Sequence, residues 1–239
     1  MPLRRSSTVR HGRSSSQWRC KIAEPLGKPA PMGIKTRYKD SLIDRIFQWL
    51  FSRKMAQITG RKAGFNGYDE FVDISRAVMN GRSPKKTQEV VREVLMSLLP
   101  PNAPQTFRKL FPPTQKSAEL NALITTYFFA WLVGPSKVIE VEVEGRKQMS
   151  GVKIEKCRYL ENSGCVGMCI NMCKLPTQDF FTNDFGLPLT MNPDYEDMSC
   201  EMIFGQAPPP PEEDPALKQP CYAAICSTAV PDVAYCPKV

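Results

Sequence analysis

Apolar and polar positions alternate with helical period over the first half of the chain, beginning at SLIDRIFQWLFSRK. Leu42, Ile43, Ile46, Phe47, Trp49, Leu50 and Phe51 fall on one broad arc, with Asp44, Arg45, Gln48 and Ser52 on the other side. The arc predicts a core-facing helix. Its aromatic content, with Arg53 and Lys54 following at once, also suits a helix lying in a membrane interface. A second helix is expected from Tyr68 to about Asn80, with Phe71, Val72, Ser75, Val78 and Met79 inward and Gly81 closing it. Ser83-Pro84 gives a cap and a first-turn proline to a third, whose stripe is Val90, Val91, Val94, Leu95, Leu98 and Leu99. Pro100-Pro101 stops it. A fourth is expected from Thr114 to Val133, ended by Gly134-Pro135. Its last turns are apolar all round, which predicts the most buried element of the fold.

The period then becomes two. Val138 to Val143 alternates apolar and acidic residues, Gly145 to Gly151 can turn the chain, and Val152 to Glu155 alternates again. One β-hairpin follows from this. Beyond Cys157 the chain is rich in Cys, Pro, Asn, Asp and Gly, and Ala207 to Glu213 reads as an extended connector. The expected fold is α+β: a mainly helical N-terminal body, one β-hairpin and a cysteine-rich irregular C-terminal region. Pro25, Pro29, Pro31 and Gly33 make residues 20–37 a linker, so a single domain is expected over 38–239. Its helical part is 38–135, and the hairpin and cysteine-rich part is 136–239. The longest apolar run, Ala122 to Val133, is too short to span a bilayer.

Charge divides the chain unevenly. The first 39 residues hold ten Lys/Arg against Glu24 alone, and residues 40–239 hold 22 basic against 23 acidic side chains. A nearly neutral body argues against nucleic-acid binding, which needs many cations along one face. The basic, Arg- and Ser-rich tail has the composition of an organelle transit peptide, with a disordered basic arm as the other reading. Cleavage near Trp18 to Lys21 would also remove His11, the only histidine.

Eight of nine cysteines cluster at 157, 165, 169, 173, 200, 221, 226 and 236. Three causes remain open. Disulfides or redox-regulated thiols suit an organelle less well than a secreted context. Structural zinc lacks the usual paired-cysteine knuckle and any histidine of the body. Iron can be held by thiolates alone, and Cys157, Cys165, Cys169 and Cys173 offer four sulfurs from one segment, with Cys200 a further candidate. A metal site in this body must use sulfur, carboxylate, carbonyl or water. Asp194, Glu196, Asp197 and Glu201 surround Cys200 in sequence and could ligate metal or act as acid and base. Equally, they could form a solvated loop capping a helix that starts near Met198.

The runs CRYLENSGCVGMCINMCKLPTQDFF, NPDYEDMSCEMIFGQAPP and DPALKQPCYAAIC, with TYFFAWLVGPSKV before them, resemble the plastid β-carotene isomerases of strigolactone biosynthesis, the dwarf-twenty-seven family. The resemblance covers roughly residues 114–226. It implies an iron-containing chloroplast enzyme that interconverts all-trans-β-carotene and its 9-cis isomer, feeding carotenoid cleavage and strigolactone or apocarotenoid biosynthesis. A pure hydrocarbon must be recognised by burial, so an apolar slot is required; Tyr127, Phe128, Trp131 and Leu132 are lining candidates. A patch such as Ile43, Phe47, Leu50 and Phe51 would admit substrate from lipid through peripheral membrane contact. The polyene has no carbonyl, which leaves electron transfer, reversible radical addition or protonation as routes to bond rotation. The sequence singles out no catalytic residue. The alternative function is a non-enzymatic iron–sulfur or redox-sensing module.

Overall fold

A computed structural model describes residues 23–26, 30–31, 34–222, 225–226 and 236. The transit-peptide expectation for the N-terminal tail lies outside the described residues. Two short strands, β1 (Glu24–Pro25) and β2 (Tyr38–Lys39), pair antiparallel. Six helices follow: α1 (Leu42–Thr59), α2 (Tyr68–Met79), α3 (Pro84–Ser97), α4 (Ala103–Leu110), α5 (Gln115–Phe128) and α6 (Ala130–Val133). Strands β3 (Ser136–Val143) and β4 (Arg146–Ile154) form the expected hairpin, longer than its alternating core and bulged between Ile139 and Val141. Residues 20–37 are not a free linker where they are described. The Thr36 amide donates to Glu161 Oε1 at 2.8 Å, and Lys156 pairs with Glu161 at 2.7 Å with both side chains buried.

The C-terminal part is more regular than its composition suggests. Short helices α7 (Arg158–Ser163), α8 (Val166–Met168) and α9 (Leu175–Asp179) are joined by two π-helical stretches, Cys169–Lys174 and Phe180–Asp184. Strands β5 (Leu189–Pro193) and β6 (Cys200–Phe204) make a second hairpin, giving a four-stranded antiparallel sheet in the order β3-β4-β6-β5. The chain after Met198 is therefore a strand and not a helix. Met198 itself has φ 62°, and the turn it closes returns the chain antiparallel along β5.

Two helices depart from expectation in the same way. On α1 the buried positions include Asp44, Gln48 and Ser52, while Leu42, Ile43 and Ile46 face out. Asp44 is accommodated because it closes a capping box, accepting from the Ser41 amide at 2.7 Å while Ser41 Oγ accepts from the Asp44 amide. The fourth helix is broken at Phe129 (φ −103°, ψ 7°) into α5 and α6. It is not the most buried element. α5 packs on β4 through Ser117, Ala118, Asn121, Ala122 and Thr125 and turns its larger apolar side chains outward. α6 carries the buried part of that run, with Trp131 1% exposed.

Candidate substrate cavity and cysteine cluster

Helices α1 to α5 and the second π stretch enclose an apolar cavity of about 420 Å³. α1 contributes Phe47, Leu50 and Phe51, and α3 contributes Leu95, Leu98 and Leu99. The far wall is an aromatic stack in which the Phe107 and Phe185 rings lie 4.0 Å apart at 18° and Phe180 meets Phe185 at 4.5 Å. Two polar groups on the lining are spent locally: Ser75 Oγ donates to the Phe71 carbonyl at 2.8 Å, and Asn121 Nδ2 donates to the Ser117 carbonyl at 2.8 Å. The cavity reaches the surface beside α5, where the lining residues Ile124 and Phe128 are exposed.

Behind this cavity lies a void of about 20 Å³ lined by Cys157, Cys169, Cys173 and Cys200, with Lys174 and Tyr159. Tyr159 and Cys173 belong to both linings, so they form the partition between hydrocarbon space and thiols. The Tyr159 hydroxyl is buried with no hydrogen-bond partner. Burial dominates the electrostatics. It pushes the Cys157 thiol up to about 11 and the Cys169 thiol up to about 12, and raises Cys173, Cys200 and the Tyr159 phenol well above their ordinary values. The partition is thus uncharged at neutral pH, as a wall against a hydrocarbon must be.

Local structure explains which thiols meet. Cys157 caps α7, its sulfur 3.5 Å from the Leu160 amide. Cys169 and Cys173 sit four residues apart in the π stretch and face the void together. Cys165 has extended backbone (φ −139°, ψ 117°) as the residue before α8, which takes it off that stripe toward Cys226. Cys200 begins β6 and arrives from the sheet side. Of the five cysteines expected as metal ligands, Cys157, Cys169, Cys173 and Cys200 line the void and Cys165 does not. As placed, no group of three His, Cys, Asp or Glu among the described residues could hold a metal ion.

Asp194, Glu196 and Asp197 occupy the exposed turn between β5 and β6, away from both linings. Asp194 Oδ1 accepts from the Glu196 amide at 2.8 Å and Asp197 Oδ1 from the Ser199 amide at 2.7 Å, so these carboxylates shape the turn. Glu201 lies on β6 opposite Lys153 and Asn192, also off the cavities. Of the lining candidates, Phe128 and Leu132 face the cavity. Tyr127 is 64% exposed and Trp131 is packed behind, against Phe47, Phe51 and Phe71. Sequence reasoning missed Tyr159, Thr177 and the Phe180, Phe181 and Phe185 wall. The aromatic spacing in DFFTNDF was the available signal.

Lys174 ends the first π stretch and is 1% exposed at its side chain. Its ammonium pairs with Asp214 at 2.8 Å, donates to Gln178 Oε1 at 3.1 Å and reaches the Met191 carbonyl. Arg158, next to Cys157, pairs through both terminal nitrogens with Asp40 at 2.6 and 2.9 Å and stacks over the Tyr68 ring at 3.7 Å. These two cations fasten the cysteine-bearing elements to the rest of the core.

Among the described residues no helix is long and apolar enough to cross a membrane. No solved structure matches this chain. A family profile described as "Beta-carotene isomerase D27-like, C-terminal" matches residues 131–213, the segment that holds Tyr159 and the four void-lining cysteines. Two similar proteins are named "Beta-carotene isomerase D27, chloroplastic". That of Medicago truncatula is 42% identical over 77% of this chain and 73% of its own length. That of Arabidopsis thaliana is 45% identical over 77% of this chain and 70% of its own. At that identity, over more than two thirds of each relative and with the cysteine segment inside the matched profile, the chain belongs to the β-carotene isomerase D27-like family.

Proposed function

We propose that this protein is a chloroplast carotenoid isomerase that interconverts all-trans-β-carotene and 9-cis-β-carotene, supplying strigolactone or apocarotenoid biosynthesis. The observation that carries the reading is the 420 Å³ apolar cavity whose inner wall is a neutral phenol and a neutral thiol. Its volume lies within the roughly 300–1,000 Å³ of ligand sites, and its lining offers burial, the only affinity a hydrocarbon can use. Helices α1, α3 and α4 hold the polyene and exclude water, while Tyr159 and Cys173 face the bonds that must rotate. The family match gives no support to a non-enzymatic iron–sulfur or redox-sensing module.

Iron belongs to this proposal as cofactor; the residues that would hold it are Cys157, Cys169, Cys173 and Cys200, which as placed line one void without forming a coordinating group and would have to lose their thiol protons to bind it. When bound it would supply one-electron chemistry beside the polyene. The chain's own part is to present sulfur at one side of a thin partition and hydrocarbon at the other. Peripheral contact with a plastid membrane belongs to the same reading. The test is incubation with all-trans-β-carotene in micelles, followed by separation of isomers. Formation of the 9-cis isomer, and its return to all-trans, is expected. A protein that leaves either isomer unchanged, with iron supplied under anaerobic conditions, refutes the assignment.

A further inference from the structure

We propose that the outward faces of α1 and α5 form a docking surface for an anionic lipid bilayer, which sets the cavity mouth against hydrocarbon. The proposal deepens the carotenoid reading and rests on it for what passes through the mouth. Both helices are inside out for a water-facing surface. α1 turns Asp44, Gln48 and Ser52 inward and Leu42, Ile43 and Ile46 outward, and Leu42 is 67% exposed. α5 turns Ser117, Asn121 and Thr125 inward and Leu120, Leu123 and Tyr127 outward. An ordinary surface helix has the reverse arrangement. Scattered exposed apolar residues need no cause, but two stripes on helices that also line one apolar cavity do. The rings of Phe47 and Phe128, 5.0 Å apart, join the two helices at that cavity.

Charge selects the lipid. Arg53 and Lys54 lie on the α1 face that carries Ile46 and Leu50, and Lys116 heads the α5 stripe, all at helical spacing. The only acids of the two helices are Asp44, buried in its cap, and Glu119, which accepts from Gln115 and from the Met149 amide. The rim is cationic on a body that is otherwise nearly neutral. Long basic side chains of this kind reach anionic headgroups while their stems follow the apolar surface. A second copy of the chain on this face would close the mouth to a substrate that resides in lipid. The bond isomerised lies toward one end of the carotene, so one ring and the adjoining polyene need enter while the remainder stays in the bilayer.

The test is co-sedimentation of the full chain with vesicles of phosphatidylcholine, with and without phosphatidylglycerol. The variants are Leu42→Glu/Ile46→Glu and Leu123→Glu, at exposed positions that do not line the cavity. Binding to the anionic vesicles is expected, reduced about tenfold or more in each variant. Melting temperature and turnover of micelle-dissolved carotene should be unchanged, while turnover of vesicle-borne carotene should fall with binding. Binding carried by the basic N-terminal tail alone would survive these substitutions and overturn the proposal. So would absence of vesicle binding, or a solution dimer that the same variants disperse. Vesicle binding without any carotene isomerisation would leave the docking surface standing and remove the isomerase reading, and micellar turnover without vesicle binding would do the opposite.

Discussion

Replacing Lys174 with methionine should be among the most damaging single changes to this fold. The methionine keeps the volume of the lysine stem, so the effect isolates the charge. In the native protein the ammonium meets Asp214 Oδ2 at 2.8 Å, Gln178 Oε1 at 3.1 Å and the Met191 carbonyl, and the two charged side chains are 1% and 4% exposed. Asp214 Oδ1 is already engaged by the Ala216 amide at 3.0 Å, which leaves Oδ2 with no cation in a dry site. Breaking a buried pair by removing one partner costs about 3–5 kcal/mol. Against a total stability of roughly 5–15 kcal/mol, that is a large share. For a chain of this size the loss corresponds to a fall of about 6–20 °C in melting temperature. Urea denaturation of Lys174→Met, Asp214→Asn and the double variant gives the coupling directly. Lys174→Met alone should be the worst of the three, and the double variant should recover most of the loss because no bare charge remains. A single variant within about 1 kcal/mol of wild type would refute the reasoning, since the pair would then be no more than a surface contact.

Leu95→Trp, projecting into the cavity, should lower carotene turnover by about tenfold or more while the melting temperature holds, as read by isomer separation and calorimetry. Cys173→Ser and Cys200→Ser should lower iron per chain in a colorimetric assay, and Cys165→Ser should not; equal loss in all three would break the assignment of ligands. In protein freed of metal by a chelator, stability should be flat from neutral pH to about 9 and fall above it. The folded thiols of Cys157 and Cys169 stay protonated up to about 11 and 12, whereas in the unfolded chain they ionise near 9. The folded state therefore binds more protons in that window, and stability is lost at about 1.4 kcal/mol per pH unit per group. Urea midpoints that rise between pH 9 and 10.5 would contradict the burial of these thiols.

Period and punctuation in the sequence were sufficient for α2 and α3, for the β3–β4 hairpin and for the α+β class. Each is set by local rules: Ser83 and Pro84 start a helix, Gly145 permits a turn with φ 74°, and alternation fixes strand faces. The cysteine runs were also enough to name the family. What the sequence could not decide was which face of α1 and α5 turns inward. Periodicity reports that a helix has two unlike faces, not what lies against each. Here α1 packs on α2 through a face carrying Asp44, Gln48 and Ser52 beside Met55 and Ala56, α5 packs on β4 through a face carrying Ser117, Asn121 and Thr125 beside Ala118 and Ala122, and other apolar positions of both helices line the cavity. Nor could it decide which thiols meet. Cys200 is distant in sequence and reaches Cys173 only because β6 pairs with β4 and β5, while Cys165 is turned away by one extended residue before α8. Burial and convergence depend on chain segments far apart in sequence, so these features were decided by tertiary packing.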